Sequence, residues 1–180
     1  MGVAAKKLTW DDIKDWPESH GRTELVDGEL VMSPVPSKRH QRLCHRLGRP
    51  IGSFVEGHNL GEFYEHPIHV ILAGGVNYEP DLCFIAKGRD PDPNSSAFNG
   101  SPDLIIEIIS ESNREHDTGA KFRHYEKYGV REYWLVDQKT EIEVWLLEEG
   151  KYVSPGNFGR GQPVLTRVLK GLRLDPGQVF

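Results

Sequence analysis

The chain has 180 residues, with 22 Lys plus Arg against 27 Asp plus Glu and a net charge of -5. That length suits one domain over 1–180, with its central core at about 37–147. The charge balance lacks the basic excess usual in nucleic-acid binders, and no apolar run approaches the ~20 residues of a membrane span. Cys44 and Cys83 form neither a disulfide framework nor a metal-ligand spacing. Residues 1–7 carry no apolar signal core, so a cytoplasmic setting is expected.

The first element is a helix over 8–16, where Thr9 can cap, Asp11 and Asp12 suit a first turn, and Pro17 stops it. Thr23 to Met32 reads as a hairpin around Asp27-Gly28. Ser33-Pro34-Val35-Pro36-Ser37 is a loop. Ser37 caps a helix reaching about Val55, with Leu43, Leu47, Ile51 and Phe54 on one face. Arg39, Arg42, Arg46 and Arg49 form a stripe on another face. Pro50 is expected to kink or restart it.

Strands follow at 62–72, ended by Gly74-Gly75, and at 78–86, with Pro80-Asp81 inside. Residues 87–100 form a polar, Pro-rich loop. Another strand covers 103–110, a loop covers 111–116, and a helix runs from Asp117 to Tyr128, closed by Gly129. A buried strand at 132–137 turns at Gln138-Lys139-Thr140 into a hairpin partner at 142–147. The rest, 151–180, reads as short strands and loops. Three strands grouped between two helices imply a mixed sheet with helices on its faces.

The 103–110 strand holds the most informative residue. Glu107 lies in the run Leu104-Ile105-Ile106-Glu107-Ile108-Ile109, and its own face carries Ile105 and Ile109. A carboxylate between isoleucines is costly unless a metal ion, a buried cation or a bound proton compensates it. Asp81 lies in the preceding strand, on the face of Glu79, Cys83 and Ile85. If the two strands pair, the carboxylates converge at one edge, and a hard divalent cation satisfies both. Lys121, near the start of the next helix, reaches back to the strand end. Its ammonium can hold water or stabilise a phosphoryl oxyanion. Two carboxylates, a metal and a lysine make a hydrolytic phosphodiester site.

These residues carry a resemblance. Pro80-Asp81 and, after a spacer, Glu107 in an apolar strand resemble the PD-(D/E)XK nuclease superfamily, with its restriction-endonuclease-like fold. More narrowly, the chain resembles the Uma-type restriction endonuclease family. The matching segments are 24–30, Ser33-Pro34 with His40, 79–82, 102–110, Asp117 through Lys121 to Tyr125, and 129–137. In the superfamily pattern the triplet lysine falls at position 109, which here is Ile109. The narrower family shares that feature, and the lysine role transfers to Lys121.

The resemblance implies an α/β (mixed α+β) fold: a restriction-endonuclease-like core with a central mixed sheet flanked by helices, plus an N-terminal helix and hairpin. It implies Mg²⁺ or Mn²⁺ held by Asp81, Glu107 and the Ile108 backbone carbonyl. Lys121 would be the catalytic lysine, Glu24 and His40 auxiliary residues, and nucleic acid, with DNA first, the partner.

Each residue also has a plainer reading. Asp81 is otherwise a turn aspartate, and Glu107 with Lys121 a structural ion pair. Glu24 is otherwise a solvent-facing hairpin residue. His40 and His116 either meet a phosphate or satisfy local partners. The stripe Arg39, Arg42, Arg46 and Arg49 is either a solvated helix face or a phosphate-tracking surface. Tyr125, Tyr128, Tyr133 and Trp134 read as core.

Three functions follow: a metal-dependent endodeoxyribonuclease, a nuclease-like fold that binds nucleic acid without cutting, or a scaffold built on a buried ion pair. Homo-oligomerisation, as a dimer or larger, is expected under each.

Overall fold

The computed structural model describes residues 6–16, 21–92, 94–109, 114 and 117–180. Pro17, His116 and most of the 110–116 loop lie outside these residues.

The N-terminal helix is shorter than expected. Helix α1 spans Trp10–Ile13, and Thr9 and Asp12 close a capping box around its first turn. The hairpin forms as read, from β1 (Arg22–Val26) and β2 (Glu29–Ser33). Asp27 and Gly28 both take positive φ, 52° and 81°, as a two-residue turn between twisted strands requires. Helix α2 spans Lys38–Gly57, with the Ser37 side chain accepting from the His40 amide. It does not restart at Pro50; the helix continues through that residue as one element.

The next stretch departs from the sequence reading. The single strand expected over 62–72 is two: β3 (Gly61–Tyr64) and β4 (His69–Ala73), in different sheets. The strand expected over 78–86 is likewise two: β5 (Val76–Tyr78) and β6 (Leu82–Ala86). The breaks fall at Pro67 and at Pro80, each of which lacks the N–H a ladder needs. The polar loop at 87–100 contains a short strand, β7 (Ala97–Asn99), that pairs in parallel with β4.

Then come β8 (Leu104–Ile109), a π-helical turn (Asp117–Lys121), and α3 (Phe122–Tyr128), closed by Gly129 at φ 86°. The C-terminal part holds β9 (Glu132–Asp137), β10 (Ile142–Glu148), β11 (Lys151–Phe158), β12 (Val164–Leu165), β13 (Arg173–Leu174) and α4 (Pro176–Val179).

The central mixed sheet has six strands, in the order β11-β10-β9-β8-β6-β3. Only β8 and β9 run parallel in it. One face packs Leu82, Phe84, Ile106 and Ile108 against Leu43, Leu47, Ile51 and Val55 of α2. The other packs Cys83, Ile105, Ile109 and Tyr133 against Tyr125 of α3. Helices therefore cover both faces, and all six positions of β8 are buried. The N-terminal hairpin belongs to a second sheet of five strands, β2-β1-β5-β4-β7. The chain crosses between the sheets at Glu79-Pro80-Asp81.

Glu132 fastens the C-terminal segment. Its buried carboxylate takes four hydrogen bonds, from Trp134 Nε1 and from Thr166 Oγ1 and the amides of Arg167 and Val168. Removing the carboxylate takes away all four of these bonds at once. Glu132→Ala is expected to lower the unfolding free energy by about 3 kcal/mol, and Glu132→Gln by less. Urea denaturation of both variants checks this; equal, negligible losses would show that water replaces the carboxylate.

Candidate functional site

β6 and β8 pair antiparallel with Leu82 opposite Ile106 and Phe84 opposite Leu104. Continuing that register by one residue brings Asp81 opposite Glu107. The two residues thus fall at facing positions at the end of the β6–β8 ladder, and both are buried, at 2% exposure each.

Asp81 does not follow the alternation of the strand after it. It sits at the crossing between sheets and turns toward α2 instead of the face of Cys83. His40 Nε2 lies 2.8 Å from its Oδ1, and Arg22 Nη2 bonds the same oxygen. Its Oδ2 accepts the Ile108 amide at 2.7 Å. Burial alone would raise the Asp81 pKa, but the His40 hydrogen bond, the Arg22 charge and the Ile108 amide together hold it below the ordinary aspartate value.

The Ile108 amide bond explains the geometry of the strand end. In an extended strand a residue's N–H and C=O point to the same neighbour. Both groups of Ile108 therefore point toward the β6 side. The residue that the register sets opposite is Pro80, which has no N–H to give the Ile108 carbonyl. The Pro-Asp pair ends the ladder and places a carboxylate beside a backbone oxygen that proline cannot bond.

Glu107 faces the other side of the sheet, toward the π-turn and α3. Its Oε1 accepts from Lys121 Nζ at 2.9 Å and from Tyr125 OH at 3.1 Å. Burial raises its pKa to about 8; Lys121 opposes this, while Asp81 and Asp117 add to it. Lys121 also lies 2.9 Å from Glu24 Oε1 and 3.5 Å from Asp117 Oδ1. Burial would strip its proton, yet the three carboxylates outweigh burial and hold it as an ammonium well above its usual range. Its Nζ also stands 5.6 Å from the Tyr78 ring centroid.

Strand β1 supplies two of these groups. Period-2 alternation puts Arg22 and Glu24 on one face. Glu24 accepts the Glu79 amide at 3.1 Å, and Glu79 in turn accepts the Thr23 amide at 2.9 Å. This reciprocal tie fixes the hairpin against the Pro80-Asp81 crossing. Two cavities open onto the cluster, of about 640 and 460 Å³, and Arg22, His40, Val35 and Pro36 line both. The larger reaches Asp81, the smaller Glu24, Asp117 and Lys121.

The structure thus gathers Asp81, Glu107, Lys121, the Ile108 backbone, Glu24 and His40 in one place. Glu24 is not solvent-facing; it is buried at 1% exposure. The arginine stripe stays outside the cluster, exposed along α2. Arg39 donates to the Gln138 carbonyl and Arg46 to the Val179 carbonyl, so half the stripe braces neighbouring segments. Four further residues join the cluster that the sequence reading does not place there: Arg22, Asp117, Tyr125 and Cys44. A charge at every second position of the hairpin, as in Arg22-Thr23-Glu24, is the available signal for Arg22. His40-x-x-x-Cys44, one helical turn apart, is the signal for Cys44.

The donor set fits a hard divalent ion. Four buried carboxylates, Glu24, Asp81, Glu107 and Asp117, face two full cations, Arg22 and Lys121. Burial, with Asp81 and Asp117 adding to it, holds a proton on Glu107, and all the oxygens are of the kind Mg²⁺ and Mn²⁺ take.

Known proteins share this architecture. A crystal structure from Anabaena variabilis, described as a "putative nuclease belonging to DUF820", superposes with a TM-score of 0.82 at 20% identity. That match covers 96% of this chain and 97% of that one. An uncharacterized protein of Synechocystis sp., slr1290, is 26% identical over 140 residues, covering 77% of this chain and 72% of that protein. The Uma2 family, described as "Putative restriction endonuclease", matches residues 10–177. With nearly its whole length matched and the fold in common, the chain belongs to the Uma2 family.

Proposed function

We propose that the protein is a metal-dependent endonuclease that hydrolyses phosphodiester bonds of DNA. One observation carries this: Asp81 and Glu107, both buried, flank the same end of the β6–β8 pairing, and the one buried lysine among the described residues bonds Glu107. Family membership and the nuclease description of the Anabaena relative support the same reading.

Asp81, Glu107 and the Ile108 carbonyl would hold Mg²⁺ or Mn²⁺, with Glu24 an auxiliary acid reaching the site through Lys121. Such an ion supplies Lewis-acid polarisation of a phosphoryl oxygen and a more acidic bound water. The protein's own groups do the rest. Lys121, kept charged by its carboxylates, lies where negative charge develops on the phosphoryl oxygens. Arg22 and His40 border both cavities and offer N–H donors to a phosphate entering either one. The exposed arginines Arg42 and Arg49 then extend the positive surface outward along α2, and Arg39 and Arg46 add to it.

Three outcomes test this. Glu107→Gln keeps the shape of the side chain and its contact with Tyr125. It is expected to cut Mn²⁺-dependent cleavage of plasmid DNA by more than about 100-fold. Cleavage at the wild-type rate would remove Glu107 from the chemistry.

The proton on Glu107 gives a pH signature. Only its carboxylate takes a metal, so binding at neutral pH must release that proton. Mn²⁺ affinity is therefore expected to rise about tenfold per pH unit below about 8 and level off above it. Calorimetry in buffers of different ionisation enthalpy reads the released proton; affinity flat between pH 6 and 8 would contradict this assignment.

Lys121→Met separates holding the ion from driving the reaction. Removing a cation from among three carboxylates should leave Mn²⁺ affinity unchanged or tighter. Turnover should fall by about 100-fold. Loss of Mn²⁺ binding in a folded Lys121→Met variant would mean the lysine is structural.

A further inference from the structure

We propose that His40, Cys44 and Asp81 form a second, soft-metal site that takes Zn²⁺ or Co²⁺ and competes with the hard-metal site for Asp81. The ligand atoms of these three residues all lie within 4.8 Å of one another. His40 and Cys44 stand one turn apart on the same face of α2, and Asp81 meets them from the sheet crossing.

The donor chemistry selects the ion. One imidazole nitrogen, one sulfur and one carboxylate oxygen suit Zn²⁺, Co²⁺ and their neighbours, whereas Mg²⁺ avoids sulfur. Around tetrahedral zinc, N, O and S ligand atoms stand roughly 3.3–3.6 Å apart. His40 Nε2 and Asp81 Oδ1 are 2.8 Å apart here. They need to part by about half an ångström, with Cys44 moving in, to accept the ion. These are side-chain adjustments, and α2 and the β6–β8 ladder can stay in place.

The surroundings fit an open site. Cys44 is half-buried, whereas His40 and Asp81 are buried. All three line the 640 Å³ cavity, whose wall also carries His45, Glu65 and His66. Three protein ligands facing such a cavity leave a fourth position for water or an incoming ligand, as in catalytic rather than structural zinc sites. Arg22 bonds the same Asp81 oxygen and must yield when an ion arrives.

Sharing Asp81 has a consequence. One carboxylate cannot hold an ion on the α2 side and another beside Glu107 without bringing two divalent charges close together. Occupancy of the soft site should therefore displace Mn²⁺, and Zn²⁺ should act as an antagonist of the hard-metal site. The soft site itself uses neither Glu107 nor Lys121, so it does not depend on nuclease activity.

Co²⁺ titration followed by absorption spectroscopy tests this, on the full chain with wild type, Cys44→Ser, His40→Asn and Glu107→Gln. Wild type and Glu107→Gln are expected to show thiolate-to-cobalt charge-transfer absorption. Cys44→Ser should lose that band. Both Cys44→Ser and His40→Asn should bind Co²⁺ more than about 100-fold more weakly, beyond the usual effect of outer-shell changes. Mn²⁺ should still bind Cys44→Ser, and displacing it should need more Zn²⁺ than in wild type. Co²⁺ binding without the thiolate band, lost in Glu107→Gln and intact in Cys44→Ser, would overturn the soft site and leave the hard-metal reading standing. No Co²⁺ binding at all would overturn the soft site as well.

Discussion

A lysine ammonium cannot sit in a protein interior unless counter-charges surround it. Lys121 has three carboxyl groups around it: Glu24, Glu107 and Asp117. They come from three places in the chain. Glu24 belongs to the five-stranded sheet, Glu107 to the six-stranded sheet, and Asp117 to the π-turn that carries the lysine itself. Asp117 and Lys121 stand four apart in that turn, 3.5 Å from each other, and a single π-turn often marks a functional position. The ammonium therefore ties two sheets and a helix together at one point. Glu24 and Asp117 would each be a buried charge without it.

Asp81 is held by a parallel arrangement on the opposite side of the sheet. Its compensation comes from His40 of α2, Arg22 of β1 and a backbone amide of β8. Two acids at facing positions of adjacent strands thus have opposite surroundings. Asp81 is stabilised as an anion, and Glu107 is pushed toward the protonated form. Environments that separate two neighbouring carboxyl groups in this way are typical of sites that handle protons or cations. An apolar core of the same size would need none of this arrangement.

Much of this is legible in the residues. The apolar run around Glu107 reads correctly as a buried strand, because six consecutive apolar or costly positions have few other uses. Asp27-Gly28 announces its turn through backbone conformation alone. The helices α2 and α3 are visible in the spacing of Leu43, Leu47 and Ile51 and in Gly129. The division into two sheets is not visible. Residues 62–72 and 78–86 each show strand-like composition throughout, and only the prolines hint at a break. A proline inside a strand-like run signals an edge, a bulge or a crossing equally well. The face of Asp81 is misassigned for the same reason: alternation holds within a strand, and Asp81 lies just outside one. Arg22 and Asp117 escape notice as site residues for different reasons. Arg22 acts on Asp81 across 59 positions of sequence, which no local pattern can express. Asp117 is only four positions from Lys121, but an aspartate opening a helix reads as an ordinary cap.

Ile109 shows what a lysine at that position would meet. Residues 107 and 109 share a face of β8, so a lysine at 109 would approach Glu107 along the strand. In this protein that position packs into the cluster of Ile105, Tyr125 and Tyr133 beneath α3. A lysine there would have to bury its charge in an aromatic core. Lys121 reaches the same carboxylate from the helix that covers the same face, and it brings Asp117 with it. The ammonium meets Glu107 while the strand end stays apolar. From the π-turn Lys121 also reaches Glu24. Lys121 and the buried hairpin acid Glu24 thus depend on each other: each provides the charge that lets the other be buried beside Glu107.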